Sequence, residues 1–260
     1  MIAFRRLTGR SSSHTAELCE PITCVRDTVC ATLRIWKSED QSGLRQGQVR
    51  WNHAIVGTAW CIAPNRYLAT AFHTLNSGNP RRAEDRFFVF AVPANGQRAY
   101  HTRVVGFPLE RPDVDIAVME ISPTPGFPVS VPALPVTFER PQDGERVLTY
   151  GFPAPEIHRA NLDPNGDWRG GEMFLKANAN EGIVAANYEH NTIVTYELNV
   201  GWHHGESGGP IVRLSSCAAF AIMQRYRSIA SPHGVVAGPH QGYGLDAIES
   251  DLRALGADVV

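Results

Sequence analysis

The sequence has no surplus of charge. Its 24 Lys and Arg stand against 26 Asp and Glu, which argues against a polybasic surface for nucleic acid or anionic lipid. It has no apolar run of the length that crosses a bilayer as a helix. The two arginines near its start are followed by no apolar stretch of the kind a secretory leader carries. A cytoplasmic location is therefore expected, with secretion the alternative if an export signal lies outside this sequence. Cysteine is scarce: Cys19, Cys24, Cys30, Cys61 and Cys217 make an odd number with no Cys-x-x-Cys pair. That spacing offers no zinc cluster and no dense disulfide framework, and mainly reduced thiols are expected. Long helical periodicity is missing as well. At 260 residues and 43% hydrophobic content the chain can still bury a sizeable core.

What is present is a series of short strands separated by 23 glycines and 18 prolines. Residues 1–23 are polar and irregular and read as an extension. Strands are expected at Cys30–Trp36, Ile55–Ala63, Tyr67–Ala71, Arg86–Val92, Ala99–Val105 and Asp115–Ile121. The Pro-rich segment Ser122–Pro135 suits neither a central strand nor a helix, and it is read as the link between two halves. Further strands are expected at Arg146–Phe152, Ile183–Tyr188, Ile193–Val200, Pro210–Leu214, Ala218–Gln224 and Gly234–Leu245. Residues 154–180 are polar and read as a long loop. One terminal helix is expected, with Asp246 as N-cap, Glu249 completing a capping box, Ile248, Leu252 and Leu255 on one face, and Gly256 as the stop. This is an all-β pattern in two parts, residues 24–135 and 136–260.

The chemistry centres on Gly205-Glu206-Ser207-Gly208-Gly209-Pro210, a tight loop between two apolar runs. Three such residues alone are more often a flexible turn. The full hexapeptide presents a serine at a sharp bend with backbone N–H groups around it, as a nucleophile that must form an oxyanion requires. A serine hydroxyl attacks only when a base takes its proton, and that base needs a carboxylate to orient it. Ala69-Thr70-Ala71-Phe72-His73 places a histidine just after a strand, and Asp115-Ile116-Ala117-Val118 places an aspartate at the mouth of another. Each alone is more often a structural residue. Asp113, two residues from Asp115, is a rival for the carboxylate role.

Taken together, the glycine-containing strand Gly57–Ala63, the motif ending in His73, the Asp-Ile-Ala-Val motif at Asp115 and Gly-Glu-Ser-Gly-Gly-Pro at Ser207 resemble the trypsin/chymotrypsin-like serine proteases over about residues 25–256. The likeness leans to bacterial, non-digestive members, since Phe72-His73-Thr74 lacks the cysteine that follows the histidine in digestive enzymes. It implies two six-stranded antiparallel β-barrels with a C-terminal α-helix. It implies that Ser207 attacks, His73 is the base, Asp115 orients it, and the N–H groups of Gly205 and Ser207 form the oxyanion hole. No cofactor and no metal are implied, and the partners are a protein or peptide substrate and a regulatory partner or activating protease.

The resemblance places the substrate pocket at Gly201, Gln224, Tyr226 and Gly242. Gly201 stands where an acidic residue would select Arg or Lys, so an uncharged residue is expected beside the scissile bond. Glu206 replaces the aspartate that an activated N-terminus pairs with in digestive members, and it either pairs with an arginine or faces solvent. His203 and His204 are adjacent on an extended segment and point to opposite faces, so they cannot easily share an ion. Two other readings stay open: the same fold kept as a binding module without activity, and an acyl hydrolase acting on esters with the same residues.

Overall fold

The computed structural model describes residues 21–76, 78–93, 98–122, 130–190, 192–201, 203–231 and 234–260; the side chains of residues 190, 225–231 and 234–237 are not described. Most of the expected 1–23 extension, with Cys19, therefore lies outside the described residues. A short helix, α1 (residues 21–26), leads into the first barrel. Its strands are β1 (Val29–Lys37), β2 (Trp51–Ala63), β3 (Tyr67–Ala71), β4 (Arg86–Ala91), β5 (Tyr100–Arg111) and β6 (Ile116–Ile121). They close antiparallel in the order β1-β2-β3-β6-β5-β4. Side chains alternate across each strand. One set, including Cys30, Cys61, Leu68, Val89 and Met119 and drawn from all six strands, packs together as the barrel interior. The opposite set, including Leu33, Ile35, Phe88 and Phe90, belongs to a larger cluster shared with the second half of the chain.

The second barrel closes in the order β10-β11-β14-β13-β12-β7. Its strands are β7 (Arg146–Gly151), β10 (Asn178–His190), β11 (Ile193–Leu198), β12 (Pro210–Arg213), β13 (Ala219–Ser231) and β14 (Gly234–Gly244). Val184, Val194, Tyr196, Leu198, Ile211 and Phe220 fill it. Two six-stranded barrels and a short C-terminal helix are the expected fold class.

Residues 154–180 depart from the loop reading. They form a hairpin of β8 (Glu156–Leu162) and β9 (Trp168–Phe174), and β10 begins already at Asn178. The exposed polar residues of β8 conceal an inner face of Ile157, Ala160 and Leu162 packed on the shared cluster. Trp168, 5% exposed, meets Phe90 edge-on at 5.5 Å. Trp51 Nε1–H donates to the carbonyl of Pro164, and Asp167 faces Arg103 at 3.3 Å. The hairpin thus lies across the outside of the first barrel although it belongs to the second half.

The helix differs at its start. A 3-10 turn, Leu245–Ile248, precedes α3 (Glu249–Ala254), whose N-cap is Ile248 with no side-chain cap. Asp246 is not the cap because Arg140 takes its carboxylate at 2.9 Å, and Glu249 pairs with Arg253 at 2.8 Å instead of closing a capping box. The stop is as expected. Gly256, at φ +78°, gives its N–H to Arg253, and Ala257 gives its N–H to Leu252, the paired bonds of a Schellman end.

Candidate active site

The site is built where the two barrels meet. β3 ends at Ala71, and a one-turn helix, α2 (Phe72–Leu75), carries His73 at 45% side-chain exposure. The turn before β6 places Asp115 at φ +52°, a left-handed conformation that Asp tolerates better than most residues. From there its carboxylate grips His73 twice. Oδ2 is 2.8 Å from Nδ1, and Oδ1 accepts the His73 backbone N–H at 2.8 Å. An ionised carboxylate only accepts, so the pair puts the ring proton on Nδ1 and leaves Nε2 with its lone pair free. Asp113 is occupied otherwise, paired with Arg111 at 2.8 Å.

Ser207 arrives from the second barrel on a loop tied to β2. The backbone N–H of Thr58 donates to the Ser207 carbonyl at 2.8 Å, and the Thr58 hydroxyl donates to the Gly205 carbonyl at 2.7 Å. That hydroxyl also accepts the Phe152 N–H at 3.1 Å. Gly208, at φ +87°, lies so close to the Thr58 carbonyl and the Thr70 hydroxyl that a Cβ would stand 2.3 and 2.4 Å from them. Gly205, at φ +98°, is packed as tightly against the Phe152 carbonyl and Pro155. Only glycine serves at either position. Among the described residues the amide N–H groups of Gly205 and Ser207 donate to no protein group, so both remain available to an anion.

The Ser207 hydroxyl donates to the carbonyl of Gln224 at 3.0 Å. The Gln224 side chain, 1% exposed, reaches back across the junction and donates to the carbonyl of Asp115 at 3.0 Å. A continuous chain of contacts therefore runs from Ser207 through Gln224 and Asp115 to His73. Neither Gln224 nor Thr58 was assigned this bridging place from sequence. Gln224 is expected to line the pocket, and its position at the end of an apolar run is the one sequence signal of its burial.

Glu206 corrects another expectation. Among the described residues it pairs with no arginine, and it does not face solvent, being 0% exposed. Its carboxylate accepts the backbone N–H of His203 at 2.5 Å and lies 3.4 Å from the Asn180 amide nitrogen. Burial raises its pKa above the usual carboxylate value, opposed by the His203 N–H, by the charge of His203 and by Asn180. Of the other expected pocket residues, Gly242 lies beside Gln224 in the β13–β14 ladder, which pairs Met223 with Gly242. Gly201 is exposed with open space around it, while Gly242 is buried in the second barrel against Ile211. The side chain of Tyr226 lies outside those described. His203 and His204 are both exposed. Among the described residues no three His, Cys, Asp or Glu side chains converge as a metal site needs. Cys24, Cys30, Cys61 and Cys217 stand outside any disulfide; burial pushes Cys61 up to about 11 and Cys30 higher still, so both stay protonated at neutral pH.

Residues 57–220 match the family model described as a trypsin-like peptidase domain. The chain belongs to the trypsin-like peptidase family. Solved structures of this fold include the HtrA-type protease AlgW with a decapeptide, at 15% identity and TM-score 0.61 over 93% of this chain and 68% of that one. Deg5 is similar at 14% identity and TM-score 0.55, over 94% and 95% of the two chains. The MamO protease domain of Magnetospirillum magneticum is similar at 15% identity and TM-score 0.50, over 88% and 97%. No curated protein matches the chain in sequence. At such identities these likenesses carry the fold of this peptidase domain, and its chemistry is argued from its own residues.

Proposed function

We propose that this chain is a serine endopeptidase working through an acyl-enzyme at Ser207, and that it makes selective cuts in particular protein substrates. The observation that carries the reading is the double grip of Asp115 on His73, which orients the ring through Nδ1 and leaves Nε2 as the nitrogen that can act as a base. In the reaction the Ser207 hydroxyl turns from the Gln224 carbonyl to His73, gives its proton to Nε2 and bonds to the scissile carbonyl carbon. The carbonyl oxygen becomes an oxyanion received by the N–H groups of Gly205 and Ser207, each such donor typically being worth ~10²–10³ in rate. The C–N bond breaks as His73 returns the proton to the leaving amine. Water then repeats the sequence on the acyl-serine, and the freed acid departs. Asp115 holds the imidazolium throughout. AlgW was solved with a peptide, in keeping with a peptide substrate here.

A second reading has its own observation. The Ser207 hydroxyl rests on the Gln224 carbonyl, as in a latent enzyme awaiting a partner or a pure binding module. Fluorophosphonate labelling of the full chain, of Ser207→Ala and of a chain lacking residues 1–23 separates these. Labelling abolished by Ser207→Ala alone supports the endopeptidase, and a panel of ester and peptide substrates then sets peptidase against esterase. Labelling only after trimming makes the extension inhibitory. No labelling in any form rejects a competent site in the isolated chain.

A further inference from the structure

We propose that this peptidase holds an extended polypeptide substrate along the open edge of β2 and seats one of its apolar side chains in a groove about four to six residues from the scissile bond. The groove is a cavity of about 640 Å³ between the 38–50 segment, the start of β2 and β8. Leu44, Val49, Trp51, His53, Ala160 and Leu162 give it its walls. That volume is in the ~300–1,000 Å³ range of ligand pockets.

Three observations lead from the catalytic serine to this groove. β2 pairs with β1 along its length but with β3 only over Trp60–Ala63, so among the described residues its Trp51–Thr58 stretch has one edge without a partner strand. Such an edge is a template for an added strand. That edge begins at Ser207, because Thr58 N–H holds the Ser207 carbonyl. Counting back from Gly57, His53 and Trp51 lie about four and six residues away, roughly 13–20 Å at the rise of a strand. An extended substrate laid beside β2 keeps the same count. Trp51 and His53, two apart, share one face and both line the groove.

The lining fixes the chemistry of the occupant. Arg50 at the rim is paired with Asp40, and Asp163 with Arg169, so neither charge is free to select an ionic side chain. What remains is apolar wall, including Val49 at 37% exposure, together with the buried Nδ1 of His53, which has no hydrogen-bond partner. Burial lowers the pKa of His53, which favours the uncharged ring in this wall. A leucine- or phenylalanine-sized residue on a strand, with its backbone bonded to β2, meets these walls.

The proposal rests on Ser207 as the nucleophile, and the test separates the two. A peptide mixture is digested with the full chain and the residue frequencies around each cut are read by mass spectrometry. Apolar residues should be enriched about four to six positions from the cut on one side, with roughly tenfold faster cleavage, the scale expected for burying one such side chain. Val49→Asp, an exposed position outside the catalytic residues, should erase that enrichment with fluorophosphonate labelling unchanged. A flat profile in that window, or one that survives Val49→Asp, overturns the groove. If nothing labels or cuts, the same mixture is offered to immobilised Ser207→Ala. Peptides with apolar residues retained there and lost with Val49→Asp uphold the groove without catalysis, and no such selection overturns it. A Val49→Asp change in sedimentation that converts an assembled species to monomer also overturns it, by making the groove a contact between copies.

Discussion

Thr58 is the residue whose loss should be felt most directly at the nucleophile. Its hydroxyl is fully buried and does two things at once, donating to the Gly205 carbonyl and accepting the Phe152 N–H. Thr58→Val keeps the shape and the backbone bond to Ser207 but leaves both groups without a partner. A buried polar group left unsatisfied costs about 1–3 kcal/mol, so the pair costs about 2–6 kcal/mol if nothing moves. The Gly205 loop can relieve this only by shifting away from β2, which displaces one oxyanion donor. The expected result is a fall of ~10²–10³ in the second-order rate of fluorophosphonate inactivation. The thermal midpoint should drop by about 2–4 °C for each kcal/mol the loop fails to recover. Thr58→Ser keeps the hydroxyl and should stay near wild type in rate. Wild-type rate and midpoint in Thr58→Val would refute the claim that this hydroxyl holds the loop.

Three further outcomes follow from the same geometry. Arg34→Met strands Asp85, because the two are 2.7 Å apart with side chains 2% and 0% exposed; about 3–5 kcal/mol should be lost in urea unfolding, with part recovered in Arg34→Met/Asp85→Leu. Gly208→Ala forces a side chain into Thr58 and Thr70 and should abolish labelling, while the circular-dichroism spectrum stays that of a folded β protein. Glu206 binds its proton more tightly folded than unfolded, so its contribution to stability is greatest at acid pH. That contribution falls as pH rises from about 4.5 through the raised folded value. The midpoint of Glu206→Gln minus that of wild type should therefore grow with pH over that window, and a flat difference would contradict the linkage.

The two-barrel pattern was legible because strand and turn chemistry is local: alternation in Cys30–Trp36 and glycine and proline at the breaks mark the strands without reference to distant residues. The approach of His73 to Asp115 could not be read from spacing; it came only through the resemblance. The hairpin was illegible because its outward face is polar and its inner face is completed by Phe90 and Trp51, which lie far away in sequence. Asp246 was misjudged as a cap for the same reason, since Arg140 claims it from 106 residues away. The burial of Glu206 was not legible because burial of a polar side chain depends on partners supplied by other strands, here Asn180; the Gln224 bridge to Asp115 depends on them likewise.

The β8–β9 hairpin has a consequence for how the chain is made. It covers Phe90 and Trp51 on the outside of the first barrel, yet it is synthesised after that barrel is complete. While the ribosome is still adding residues beyond 135, the first barrel is closed but wears an unprotected apolar flank, the kind of surface that draws nascent chains into aggregates or onto chaperones. Residues 21–135 expressed alone should therefore be sticky rather than well behaved. Adding the second half should restore solubility by clasping that flank.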